Sequence, residues 1–194
     1  MTLVLVTAPS VEPVSLAEAK LHCRIDVTDD DALVTAQIVA ARAYCEQWTR
    51  RALITQTWED VLNDWPLGRE HVLPLAPLAS IVSVKYTDDA GVEATMAAGD
   101  YLVDSTRTPG RIVLRSSASW PSVALQESHG VRIRFTAGYG AAASAVPQSI
   151  RQGLLLLIGM WYENREAMAF MVGMPTEIPH TIQALWRPYQ VPRF

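Results

Sequence analysis

Hydrophobic positions follow two different periods along this chain, and the change between them divides it. Between Asp29 and Arg51, the residues Val34, Ile38, Ala41, Cys45 and Trp48 recur at alternating steps of four and three. That spacing lines one face of an α-helix with apolar side chains. Arg42, Glu46, Gln47 and Arg50 fall largely on the other side. Thr28 is expected as the N-cap, with Asp29, Asp30 and Asp31 in the first turn, where carboxylates meet unpaired N–H groups and the positive end of the helix dipole. Upstream, Ser15-Leu-Ala-Glu18 after Pro13 has the form of a capping box and predicts a short helix to about His22.

From Ile54 to Tyr139 the period falls to two. Val131-Arg-Ile-Arg-Phe-Thr136 alternates strictly, which predicts a half-buried strand with Val131, Ile133 and Phe135 inward and both arginines outward. In Ile81–Tyr86 the same rule places Val82, Val84 and Tyr86 on one face, before the turn residues Asp88-Asp-Ala-Gly91. Tyr101–Asp104 and Arg111–Leu114 flank Pro109-Gly110 and predict a hairpin with a longer loop. Helical spacing returns after Pro147, with Ile150, Leu154, Leu157, Ile158 and Trp161 as one stripe, while Leu155, Leu156 and Met160 fill the opposite side. A helix apolar almost all round must be covered on both faces, by the sheet or by a second copy of the chain. A last short helix is expected around residues 178–186. The apolar tail Tyr189, Val191 and Phe194, broken by Pro188 and Pro192, is expected to dock on something, by strand addition for example.

The fold class is therefore α+β, a small helical bundle with an inserted antiparallel β-sheet or sandwich. Its expected divisions are an N-terminal helical part at 1–53, the β module at 54–140, C-terminal helices at 141–187 and an extended tail at 188–194. With 49% apolar and 19% charged residues, the 194-residue chain can fill one substantial core. A net charge of −4 with only two lysines, Lys20 and Lys85, argues against free-standing nucleic-acid binding, which needs clustered basic residues. Arginine, the main basic residue here, suits fixed bidentate pairing at interfaces. Cys23 and Cys45 show neither a metal-ligand spacing nor a disulfide framework and are expected as small buried hydrophobes. No apolar run approaches the roughly 18 residues of a membrane span, and the start lacks a signal-peptide pattern. A protein made in a reducing cytosol, and kept there or in a particle assembled there, is expected.

Chemistry is sparse. His22, His71, His129 and His180 have no zinc-type spacing, and no nucleophile elbow, phosphate loop or dinucleotide fingerprint is present. Asp29–Asp31 lacks the alternation and distal glutamate of a calcium loop. No catalytic residue, cofactor or metal is expected, and the protein is read as not an enzyme, with a hydrolase of unrecognised site as a distant possibility. Trp58, Trp65 and Trp120 in the β block leave an alternative, a β-sandwich carbohydrate-binding module with these rings as a stacking platform.

The order of short motifs narrows this. Pro13-Val-Ser-Leu-Ala-Glu-Ala-Lys20, Arg24-Ile-Asp26, Asp29–Asp31 and Ala40-Ala-Arg-Ala-Tyr-Cys-Glu46 resemble the start of phage head–tail connector proteins, the adaptor or head-completion proteins of long-tailed phages and gene-transfer particles. Arg51-Ala-Leu-Ile-Thr-Gln-Thr-Trp58, the proline-marked Pro74-Leu75 and Pro77-Leu78 before Val82–Tyr86, Phe135-Thr-Ala-Gly-Tyr139, Val146-Pro147 and Trp161-Tyr-Glu-Asn-Arg-Glu166 continue the resemblance. It spans about residues 10 to 166 and is less distinct beyond. It implies a structural virion protein at the head–tail interface, assembled in the bacterial cytoplasm as a ring, expected to be a dodecamer. The ring would sit between the portal protein and a tail-completion (stopper) protein and line a channel through which DNA passes unread, with no membrane contact. Trp161, Tyr162, Arg165, Glu166 and Met171, with Arg187, Tyr189, Arg193 and Phe194 of the tail, are the residues expected at subunit or portal contacts.

Overall fold

The computed structural model describes residues 2–164 and 179–192. The chain forms two compact units, one from residues 1–10 and 55–139 and one from residues 11–54 and 140–194. Both are discontinuous in sequence. The α+β fold is present, with helices in one unit and antiparallel sheets in the other.

The β unit holds β1 (Thr2–Thr7), β2 (Gln56–Leu62), β3 (Glu70–Val72), β4 (Leu78–Thr87), β5 (Glu93–Thr95), β6 (Tyr101–Asp104), β7 (Arg111–Leu114) and β8 (Val131–Ala137). They build a five-stranded sheet in the order β1-β2-β8-β4-β5 and a three-stranded sheet in the order β3-β7-β6. β8 alternates as expected, with Val131, Ile133 and Phe135 buried. The β6–β7 hairpin forms, pairing Tyr101 with Leu114 and Asp104 with Arg111. Val82 departs from its expected face and is 55% exposed. It is the extra residue of a bulge, because Ile81 faces Phe135 while Ser83 faces Arg134, and one inserted residue shifts every side chain before it to the opposite face. The N-terminus also departs from expectation. Residues 2–7, assigned to the helical part, pair with β2 from Thr2–Val61 to Thr7–Thr57. Their unbroken run of β-branched and leucine side chains favours a strand.

The helical unit comprises α1 (Leu16–Cys23), α2 (Asp31–Thr49), α3 (Gln148–Glu163) and α4 (His180–Trp186). The capping box on α1 is complete: Glu18 N–H donates to Ser15 Oγ at 3.2 Å and Ser15 N–H donates to Glu18 Oε2 at 2.9 Å. α2 begins later than expected. Thr28 does not cap it, because Asp31 N–H donates to the Thr28 carbonyl in a turn, and the helix starts at Asp31 with Asp30 at the N-cap position. Lys20 Nζ meets Asp31 at 2.5 Å, which ties the start of α2 to α1. Val34, Ile38, Ala41 and Cys45 are buried, whereas Trp48 is half-buried and Thr49 takes the last inward place. Cys23 is half-buried, and burial raises both cysteine thiols above their ordinary range.

α3 lays Ile150, Leu154, Leu157 and Ile158 into the core, with Trp161, Leu155, Leu156 and Met160 half-buried. Trp186 of α4 is fully buried and donates its indole N–H to the Ile150 carbonyl at 3.2 Å. Its ring passes so close to Gly153 that a Cβ there would lie 2.2 Å from the indole nitrogen. Arg151 reaches back across the unit, donating to the Pro13 carbonyl at 2.9 Å and to the Glu18 carboxylate.

These contacts can be tested in two ways. Gly153→Ala is expected to destabilise the protein by about 1–3 kcal/mol, the range for overpacking a filled core, read from urea unfolding. The gain in helix propensity does not offset this, because a fully enclosed indole cannot swing aside. Glu18 gives a pH test. The Ser15 backbone N–H holds its carboxyl below the ordinary glutamate value, burial opposes this, and the Ser15 hydroxyl and Arg151 add to the lowering. A carboxylate with a depressed value in the fold stabilises it above the unfolded value and loses that effect as pH falls through the folded one. The melting temperatures of wild type and Glu18→Gln should therefore differ most at neutral pH and converge as the pH drops below about 4.3.

Candidate assembly surfaces

Catalytic chemistry would need a set of polar groups converging on one point. Among the described residues no group of three or more His, Cys, Asp and Glu side chains is placed to hold a metal. The closest approach to a catalytic pair is His71 Nε2 with Asp60 Oδ2, 2.7 Å apart. Asp60 is fully buried on β2 and His71 is on β3, so the pair bolts the two sheets of the β unit together. A buried carboxylate needs such a partner.

The tryptophans of the β unit do not form an open platform. Trp65 and Trp120 stack on each other with centroids 5.1 Å apart and planes 13° from parallel, and Tyr86 packs 5.5 Å from Trp65. Trp120 donates its indole N–H to the Gly68 carbonyl at 2.8 Å. Trp58 is half-buried on β2, with its indole nitrogen enclosed. A sugar platform needs aromatic faces left open side by side, and here the stack covers one face of each ring while Tyr86 packs against Trp65.

The outward face of the five-stranded sheet is instead a ladder of ion pairs. Arg134 meets Glu59 at 3.0 Å, and Glu93 lies between Lys85, at 2.7 Å, and Arg132. Both arginines of β8 therefore point outward as expected, and their acidic partners come from strands distant in sequence. The ladder is paired and partly solvent-exposed, so it contributes little to stability but fixes the charge pattern of that face.

The expected contact residues divide three ways. Trp161 is half-buried and packs edge-on against Tyr44, with centroids 6.5 Å apart. Tyr162 donates its hydroxyl to Asp30 at 2.6 Å. Both therefore contribute to the helical unit itself. In the tail, Arg187 is exposed, whereas Tyr189 is tied inward: its carbonyl accepts from Arg51 Nε at 2.5 Å and its hydroxyl pairs with Ser149 Oγ at 2.9 Å. Val191 is buried and its N–H donates to the Thr49 carbonyl. The tail to Val191 thus docks on the end of α2 of its own chain, and not by strand addition. Arg165, Glu166, Met171, Arg193 and Phe194 lie outside the described residues.

Sequence reasoning missed several exposed apolar surfaces. Leu21 on α1 is 82% exposed, and the outward residues of α2, among them Leu33, Val39 and Tyr44, are uncharged. On β1, Val4, Leu5 and Val6 are open to solvent. Exposed apolar patches of this kind mark surfaces that meet other proteins. The signal is present in Thr2–Thr7, a run with β propensity throughout, but such a run at a chain start reads as easily as the apolar part of a targeting segment.

The sequence matches the head completion protein family over residues 13–190. This chain belongs to that family. The fold is similar over its whole length to chains of gene transfer agent particles. One lies in the neck of an empty particle computed with C6 symmetry, at 31% identity and a TM-score of 0.82, covering 100% of this chain and 97% of that one. Another is in the virion of a native gene transfer agent particle, at 29% identity, with the same TM-score and coverage. A third lies in the neck of a native particle computed with C12 symmetry, at 31% identity and a TM-score of 0.80, again covering 100% and 97%. No curated protein matches. The protein is a structural head–tail connector of a virion or gene-transfer particle, and the carbohydrate-binding alternative is not favoured. Accordingly, an oligosaccharide panel should leave the tryptophan fluorescence of this head completion protein unquenched, since Trp65 and Trp120 are stacked on each other and not laid out as a platform.

Proposed function

We propose that this head completion protein assembles as a twelve-membered ring between the portal and a tail-completion protein, and that its bore passes DNA without reading it. The observation that carries the reading is the similarity of the entire fold to a chain in a particle neck computed with C12 symmetry, at 31% identity. Cyclic symmetry turns exposed apolar surface on one copy into buried surface between copies, which accounts for the open faces of α2 and β1. The net charge of −4 suits a wall along which phosphates slide, because a basic wall would bind them by counterion release. The protein works without catalysis, cofactor or metal, and a structural role needs none of them.

Trp161, Tyr162, Arg165, Glu166 and Met171 help form the contact between neighbouring copies, with Trp161 and Tyr162 acting from within the helical unit. Arg187, Tyr189, Arg193 and Phe194 reach the portal or a neighbouring copy. The inward ties of Tyr189 and Val191 hold the tail on α2 as far as Val191. Deleting only Arg193 and Phe194 is therefore the informative truncation, since it spares those ties. Co-expression with the portal protein and native mass spectrometry should give a stoichiometric twelve-copy ring for the full chain. The truncated chain should keep its melting temperature and lose at least tenfold in portal affinity, and Arg165→Ala should reduce ring occupancy. A full chain that stays monomeric beside the portal would overturn the ring.

A further inference from the structure

Sheet edges carry unpaired N–H and C=O groups, which folded proteins guard with short strands, charges, prolines or bulges. The β unit guards some of its edges. β5 is three residues long, with Glu93 held between Lys85 and Arg132. β3 is equally short, with Glu70 paired to Arg111 at 2.6 Å and Pro74 following it. The part of β4 without β5 opposite is broken by bulges at Ala79 and Val82.

β1 and β6 are guarded less: β1 has only the bulge between Leu5 and Thr7, and β6, four residues long, carries a single charge. β1 ends the five-stranded order, contains no charge or proline, and exposes Val4 and Leu5 at 44% each and Val6 at 42%. β6 ends the three-stranded order and exposes Leu102 at 46% and Val103 at 42%. Its one charge, Asp104, is turned onto Thr106 Oγ1 at 2.6 Å and Arg111 Nε at 3.1 Å. The two edges also match in length. β1 runs in regular register from Thr2 to Leu5 before its bulge, and β6 spans the four residues Tyr101–Asp104.

We propose that β1 of one copy pairs with β6 of the next, so that each five-stranded sheet continues into its neighbour's three-stranded sheet around the ring. This rests on the ring reading above and names the contact that closes it. A cyclic ring needs two different, complementary patches on every copy, whereas a patch that pairs with itself stops at a dimer. Two weakly guarded apolar edges in different sheets supply that pair of patches. Strand addition would satisfy the backbone groups of both edges while Leu3, Val4 and Leu5 interdigitate with Leu102 and Val103.

The test is cysteine cross-linking of the full chain assembled on its portal. Paired strands bring opposite Cα atoms to about 4.5–5.5 Å, within disulfide reach. Cysteines placed singly at Leu3, Val4 or Leu5 are combined with cysteines at Leu102 or Val103 in the same chain, and wild type with Cys23 and Cys45 serves as the control. At least one combination is expected to give a covalent ladder beyond the dimer on a non-reducing gel, and no single substitution should do so. In parallel, Val4→Lys should keep the wild-type melting temperature and cut ring occupancy at least tenfold. Dimers from Val4→Cys alone would show β1 pairing with itself, and a cross-link from Val4→Cys to the portal would show that edge taken by another protein. Either result overturns the proposal, as does an intact ring that no combination cross-links and Val4→Lys leaves unchanged. Absence of any wild-type ring counts against the reading above, and the β1–β6 contact falls with it.

Discussion

Trp186 has its indole N–H on the Ile150 carbonyl and its ring over Gly153, where any side chain would collide with it. This enclosed contact holds α4 against α3, and the tilted approach of Trp48, with centroids 6.1 Å apart, holds the same ring against α2. The largest fully buried side chain among the described residues thereby joins three helices at one place. The segment after α4 inherits that position: Tyr189 and Val191 can reach Arg51 and Thr49 only because Trp186 is locked a few residues earlier. The course of the tail through Val191 is set by a core contact.

The β unit divides its polar and apolar surface differently. Many of its charges are paired with one another, on the outward ladder of Glu59, Arg134, Arg132, Glu93 and Lys85 and between Asp60 and His71. Its apolar residues are not all buried, since β1 and β6 keep valine and leucine in solvent. A monomer that worked alone would carry that arrangement as an aggregation hazard. Exposed apolar surface of this kind is characteristic of proteins that meet other proteins.

Chemistry is sparse along the chain for the same reason. The residues that suggest activity are engaged in holding the fold: His71 bridges two sheets, Trp65 stacks on Trp120, and Asp30 and Asp31 receive Tyr162 and Lys20. The features that set this chain apart are its surface shape and its open sheet edges, which no short motif encodes.

Local rules carried much of the fold. The capping box at Ser15, the stripe of α2 through Cys45, the alternation of β8 and the β6–β7 hairpin were legible because each depends on residues close in sequence, through side-chain periodicity and turn chemistry. So was the family resemblance, a matter of motif order. Other features depend on partners far along the chain and were not legible. Thr2–Thr7 becomes a strand because β2 offers it an edge more than fifty residues away, and Val82 turns outward because β8 imposes a register with a bulge. The tail docks on its own α2 because Trp186 carries it there. Sequence alone determined the helices, the alternation of β8, the β6–β7 hairpin and the family they resembled. Only the tertiary structure decided where β1 and the tail pair, which way Val82 turns and which edges stay open, because edge pairing and register belong to the packed arrangement and not to any single segment.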